Sequence, residues 1–236
     1  MKKEYLFNAI AIFVSIVGSF GVERLIEYRK EQNEIKILEI NLIHELEQNY
    51  YSLLSLRGTL NSVIAVSDSI TSNWKNVDSK KIKNYHQNNI YDRNERIEFI
   101  LSNSYGFTAK NMYLNSLINS GLILKIKSTI LRNQIESINL LVGGGYLNSN
   151  QSIKGNIMDW FKEKSENESS LNNNFIFDKH KDFKLLRLLT LRRRNEIYKL
   201  SGVEDNIKFL EGIIAEIKMK GLLQISRYLR NTFFKI

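Results

Sequence analysis

The polar and apolar positions divide the chain sharply near its start. Residues 5–22 read YLFNAIAIFVSIVGSFGV, with no charge among them, and residues 23–36 then read ERLIEYRKEQNEIK, more than half of them charged. Eighteen residues of helix span about 27 Å, close to the roughly 30 Å hydrocarbon core of a bilayer. The first expectation is an N-terminal transmembrane helix within residues 1–22, followed by one extramembrane unit over residues 23–236. A cleaved signal needs a small-residue site followed by a mature start. The segment SIVGSFGVERLIE offers small residues, but the helical pattern runs straight through it. That favours an uncleaved anchor over a signal or a buried core helix.

Beyond the charged exit, Ile35, Leu38, Leu42, Leu46 and Leu53 recur at helical spacing, broadened by Ile37, Ile40 and Ile43. No glycine falls between Val22 and Gly58, so a long, stiff exit helix is expected. Its apolar pattern keeps no strict heptad, which predicts docking on its own domain rather than a free stalk. A second helical stretch covers residues 54–74. KNVDSKKIKNYHQNNIYDRNE, from Lys75, and FKEKSENESSLNNNFIF, from Phe161, read as polar loops near residues 75–93 and 165–180. Helix signals resume near Glu95. Met112, Leu114, Leu117 and Ile118 mark a helix that Gly121 stops, and Ile130, Leu131, Ile135 and Ile138 mark another. The tail reads as helical pieces over 182–200, 203–218 and 221–236. Two-residue alternation and hairpin turn pairs are scarce. The expected class is all-α: a helical bundle continuing from an N-terminal span.

Composition sharpens this picture. The 236 residues contain no proline and no cysteine. The first absence suits long helices, and the second excludes disulfides, thiolate metal sites and cysteine nucleophiles. The net charge is +9, and residues 175–236 carry fourteen Lys and Arg against seven Asp and Glu, or +7. A basic end fits an anionic membrane surface, nucleic acid or an acidic partner. Lys2 and Lys3 precede the span, while Arg24, Arg29, Lys30 and Lys36 follow it. Counted as positive-inside, this leans to a cytoplasmic domain on a bacterial inner membrane, with a periplasmic one still open.

Within the span, Asn8, Ala11, Ser15, Gly18 and Ser19 share one helical face. Small residues let helices approach closely in lipid, and Asn or Ser can hydrogen-bond across such an interface. The face is an association candidate, and a homo-oligomer is expected. A conducting pore is a further step, because no charge lines the face.

Candidate chemistry is sparse. IHELEQN begins like a zinc-protease helix, but Gln48 stands where the second histidine is needed. GGGYLNSN, from Gly143, lacks the lysine and hydroxyl of a phosphate loop. Glu45 with Glu47, and Asp92 with Glu95, have no partner that would mark them as acid and base. No catalytic residue, metal ligand or cofactor is expected, and the chain reads as a non-enzyme. Arg192, Arg193 and Arg194 are the densest charge, yet successive helical residues point about 100° apart, and only Tyr198 lies near to stack. Nucleic acid is therefore disfavoured. With Arg227, Arg230 and Lys235 of the amphipathic end GLLQISRYLRNTFFKI, these arginines are candidate contacts to a membrane surface or an acidic protein.

The order of these parts resembles an uncharacterised family of small single-pass membrane-anchored proteins common in Bacteroidetes-type bacteria. In that family an anchor ending in Asn-Trp-x-Glu leads into a helix rich in Glu and Lys. A segment of leucine, small residue and serine-glycine then precedes an Arg-Asn or Lys-Asn helix. Here VERLIEYRKEQNEIKILEINLIHELEQN follows the span, and residues 117–122 and 131–135 correspond to the later pieces. The span ends in Val22-Glu23-Arg24 without the tryptophan, and the family's basic N-terminal extension is missing. The resemblance implies a membrane anchor and supplies no catalytic residues. Three functions follow as expectations. The first is a tether whose helical domain associates with itself or binds a protein partner. The second is a triggered, membrane-disrupting oligomer of a defence or stress system. The third is an anchored ligand sensor, with residues 76–93 at the mouth of its site.

Overall fold

The structure is a computed structural model. It describes residues 2–89, 96–125, 132–133, 151–166, 168–170 and 172–233, with side chains undescribed at 2–6, 9, 39, 125, 217 and 220–233. Most of the described residues are helical and none lies in a strand, so the fold is all-α. In chain order the helices are α1 (Lys2–Ser72), α2 (Ser79–Asn89), α3 (Ile97–Ser102), α4 (Met112–Asn119), a 3₁₀ turn (Leu122–Lys125), α5 (Gln151–Ser165), α6 (Asn173–His180) and α7 (Phe183–Phe233).

Two long helices form the spine. Lys218 lies 2.6 Å from Glu47, and Arg193 pairs with Asp68, so residue numbers fall on α7 as they rise on α1: the pair is antiparallel. The 71 residues of α1 make a rod of about 105 Å. The expected break near residue 54 does not occur, because Leu53, Leu56, Leu60 and Val63 keep one buried stripe running through it. Nor does α7 split into three. Gly202 and Gly221, at the expected breaks, each carry a helix penalty of about 1 kcal/mol, yet the helix runs through both. Leu189 before Gly202 and Val203, Ile207, Leu210 and Ile213 after it are buried and hold those turns. The exit helix docks on its own domain, as its pattern predicts, from Ile35 onward. Ile37 and Ile40 are the exception. They lie outside the buried stripe, exposed to 58% and 56%.

Two apolar clusters fill the bundle. One joins Leu42, Leu46 and Leu60 of α1 to Leu114 and Leu117 of α4 and to Ile207 and Ile213 of α7. The other gathers Ile70, Ile82, Ile97, Trp160, Phe177 and Leu185 from six helices. Two stretches expected as polar loops contribute to it. Ile82 and His86, four residues apart, are the buried side of the otherwise polar α2. Ile176 and Phe177 do the same for α6. Neither segment has enough apolar residues to show a helical period, and each is helical because the spine offers a surface to cover. Residues 126–131 and 134–150, which include the expected helix at Ile135 and Ile138 and the GGG run, lie outside the described residues.

The short helices have their ends tied by side chains from elsewhere in the chain. Glu45 on α1 accepts from the amides of Tyr113 (2.9 Å) and Leu114 (3.1 Å) at the start of α4. Asp178 on α6 accepts from the amide and hydroxyl of Ser79, both at 2.7 Å, at the start of α2. Asp182 precedes α7 and accepts from the Leu185 amide (3.0 Å), the Trp160 indole (3.1 Å) and Lys164 (3.1 Å). One carboxylate thus caps α7 and pins α5 to it. Gly121 stops α4, as expected, in the left-handed region with φ at 71°.

Burial alone pushes the Asp182 pKa up. The Leu185, Lys164 and Trp160 hydrogen bonds outweigh it and hold the group below the ordinary aspartate value. A carboxyl depressed in the folded state stabilises the fold above its unfolded pKa of about 3.9. That contribution disappears as pH falls through the lower folded value. Asp182→Ala should therefore lose about 1–2 kcal/mol at neutral pH, measured by thermal or denaturant unfolding, and its deficit against wild type should shrink below about pH 4.

Candidate functional site

The most unusual surface is the first half of α1. Every described side chain from Phe7 to Lys30 is exposed. Phe13 is 67% and Ile16 50% exposed, so nothing else in the described chain rests on these residues. Residues 5–22 are helical, as expected. Among the described residues, no helix is long and apolar enough to cross a membrane. Tyr5, Leu6 and Ala9 of that stretch have side chains outside the described ones.

All five face residues found in the sequence, Asn8, Ala11, Ser15, Gly18 and Ser19, are exposed on this helix. The Ser15 hydroxyl donates to the Ala11 carbonyl at 2.8 Å, and the Ser19 hydroxyl to the Ser15 carbonyl at 2.7 Å. Back-bonding to the preceding turn uses each hydroxyl's only proton. The two serines therefore present oxygens, not donors, to whatever covers them.

The arginine run behaves differently. Arg192, expected on a surface, is only 4% exposed and belongs to no such face. Its Nη1 donates to the Ile100 carbonyl at 3.1 Å and its Nη2 to the Asn103 carbonyl at 2.7 Å, so it caps the C-terminus of α3. Arg193 is committed to Asp68. Arg194 is exposed and lies over the Tyr198 ring, 5.5 Å from its centre. The side chains of Arg227 and Arg230, and all of Lys235, lie outside the described residues.

Arg192 belongs to a buried polar layer between the two apolar clusters. Glu196 is fully buried, and Lys199 lies 3.4 Å from it while donating to the Ser104 hydroxyl (3.1 Å) and the Tyr105 carbonyl (2.8 Å). His86 is buried in the same layer, and a cavity of about 10 Å³ sits among Val63, Val66, His86, Ile100, Tyr105 and Arg192. That is room for about one water, not a metabolite. Burial holds the Arg192 guanidinium below its ordinary value, and the negative charge of Glu196 offsets this only in part. The layer fastens residues 100–105 to α7. It was legible in principle: 185, 189, 192, 196, 199 and 203 form one continuous stripe, with the three charged residues at its centre.

Little else offers chemistry. Among the described residues no group of three or more His, Asp or Glu is placed to hold a metal. His44 lies 2.6 Å from Gln48 on the exposed side of α1. Glu45 caps α4 while Glu47 pairs with Lys218, so the two do not converge. Asp92 and Glu95 lie outside the described residues. Residues 79–89, expected at the mouth of a ligand site, instead form α2. An open groove of about 740 Å³ runs between α5 and α7, lined by Asp159, Phe183, Lys184 and Leu191. Comparison with protein-family models, curated proteins and solved structures finds no match.

Removing Arg192 strips the Ile100 and Asn103 carbonyls of their donor and takes away a buried positive charge that interacts with Glu196. Arg192→Ala should cost about 3–5 kcal/mol, the scale for breaking a buried pair. At about 2–4 °C per kcal/mol for a chain of this size, that lowers Tm by roughly 10 °C. Arg194→Ala should stay within about 0.5 kcal/mol. Equal effects of the two would show that the layer is not structural.

Proposed function

We propose that this protein is a non-catalytic, single-pass membrane tether, with the exposed N-terminal part of α1 as the anchor and the helical bundle as a binding domain at the membrane surface. One observation carries the reading: a run of phenylalanine, isoleucine and valine side chains projects from the domain with nothing from the described chain against it. In water each such side chain forgoes about 1.5–3 kcal/mol of burial, and a continuous apolar rod would aggregate. A bilayer removes both problems. The described part, residues 10–22, is about 20 Å of uncharged helix, and residues 5–22 extend it to about 27 Å.

Charge supports the rest of the reading. Arg24, Arg29, Lys30 and Lys36 stand just past the apolar run, which favours a cytoplasmic domain at a bacterial inner membrane. The α7 backbone continues fifteen residues beyond Lys218, to Phe233, or about 22 Å back along α1. That end of the chain is basic, and Arg227, Arg230 and Lys235 are proposed as contacts to an acidic partner or to anionic headgroups. The resemblance to single-pass anchored proteins points the same way. A tether is preferred to a pore because the serine hydroxyls are spent on their own helix. It is preferred to a sensor because the cavity beside the buried polar layer holds about one water, and the groove between α5 and α7 is open to solvent.

In cells expressing the full chain, the protein should remain in the membrane pellet after alkaline carbonate washing. Phe13→Lys combined with Val17→Lys should release it, since each charge at a span's centre costs about 2.5–3.5 kcal/mol. Both side chains are exposed, so the helical signal of the released protein should match wild type. Wild type appearing in the carbonate wash would overturn the anchor.

A further inference from the structure

The side of α1 that faces away from its own domain is not polar. At about 100° per residue, Ser15, Val22, Ile26, Ile37, Ile40 and Tyr51 fall within one sector about 60° wide. The buried stripe of Ile35, Leu42, Leu46, Leu53 and Leu60 lies on the opposite side. Ile26 is 61% and Tyr51 66% exposed. The small residues of the anchor and the exposed apolar residues of the domain thus occupy one face of one unbroken helix. Ser15, Gly18, Ser19, Val22 and Ile26 line a shallow depression that Glu23 and Glu27 border at its domain end, and a Cβ added at Gly18 would meet nothing within 4 Å.

We propose that this face is a self-association surface, and that a second copy of the chain packs against it in parallel through the anchor and the first turns of the domain. The proposal rests on the tether reading for the parallel orientation. Lipid cannot be the occupant throughout, because Ile40 lies about 27 Å and Tyr51 about 44 Å beyond Val22. A copy held in the same bilayer presents the same stripe at the same height, which is what an isologous two-fold contact requires. The charges flanking the stripe agree. Arg29 and Lys36 stand on one edge, and Glu23 and Glu34, with Lys30 among them, on the other; all are exposed. Parallel two-fold pairing sets one edge of a helix against the opposite edge of its mate, so the basic edge meets the largely acidic one. Asn33 and His44 interrupt the apolar positions, as polar residues do where they set register at some stability cost. The small residues allow the anchors to approach closely, while the isoleucines and Tyr51 cover one another outside the membrane.

The absence of cysteine makes the test direct. In a parallel two-fold pair, a residue on the stripe meets its own counterpart within the roughly 7 Å that a disulfide can bridge. In membranes containing the full-length protein, Ile40→Cys and Tyr51→Cys should form disulfide-linked dimers under mild oxidation at least tenfold faster than Ser52→Cys and Arg57→Cys, which are exposed but off the stripe. Gly18→Leu should slow the Ile40→Cys reaction several-fold while leaving Tm unchanged, because the added side chain meets nothing in the monomer. Equal rates at all four cysteines, or no dimer at any, would overturn the proposal. Carbonate washing of the same samples separates the two readings. A flat cross-linking pattern in protein that stays in the pellet rejects the pairing and keeps the anchor. A stripe-specific pattern in protein that washes out rejects the anchor and supports the pairing.

Discussion

Short helices cannot satisfy their own ends. An eight-residue helix such as α4 leaves half of its amides and half of its carbonyls without an intrahelical partner, and burying those groups unpaired costs more than the helix gains. The bundle depends on supplying those partners from outside. Glu45 caps α4, Asp178 caps α2 and Arg192 caps the end of α3. Asn49 adds a paired contact to the backbone of Lys110, both bonds at 2.8 Å. Most of these fasteners sit on the two long helices, which are stiff enough to hold a carboxylate or guanidinium in place. The short helices are therefore positioned by polar side chains and then sealed by the apolar clusters.

The same rule explains why the charged residues of α7 are inside. Arg192, Glu196 and Lys199 stand where leucine or valine would complete an apolar stripe. Three ionisable groups sit out of water there: Lys199 lies against Glu196, and Arg192 and Lys199 donate to the carbonyls of Ile100, Asn103 and Tyr105. The layer divides the core into two apolar clusters. It also specifies which part of α7 meets which part of α1, a register that a uniform apolar stripe would leave free to slide.

The spine also divides its own labour. From Ile35 onward α1 is half of an antiparallel pair, and its buried side is spoken for by α7 and α4. From Phe7 to Lys30 every described side chain of the same helix is exposed, and its most apolar run, residues 5–22, lies there. One uninterrupted rod thus joins an exposed apolar run to a stretch that packs into the domain core. Any movement or pairing of the first part is carried rigidly into the second, with no proline or loop to absorb it.

The helical class, the apolar run at 5–22, the charged exit and the docking stripe that begins at Ile35 were determined by local sequence, because periodicity and charge are read within a few turns. So was the stop at Gly121, which needs only a residue at ease with positive φ. Other features rest on contacts between residues from 61 to 171 positions apart. The polar segments at 79–89 and 173–180 are helices because Ile82, Ile176 and Phe177 found a core to cover. Gly202 does not end α7 because buried residues on both sides of it, Leu189 and Val203 among them, outweigh its local penalty. The arginine run is not a surface patch, because Ile100 and Asn103, ninety residues away, present carbonyls that Arg192 alone of the three can reach. Nothing in the spacing of LRRRNE separates those three side chains. Only the tertiary structure decided which was buried, which was paired with Asp68 and which was left to solvent, because burial of a charge is settled by partners that the local sequence does not contain.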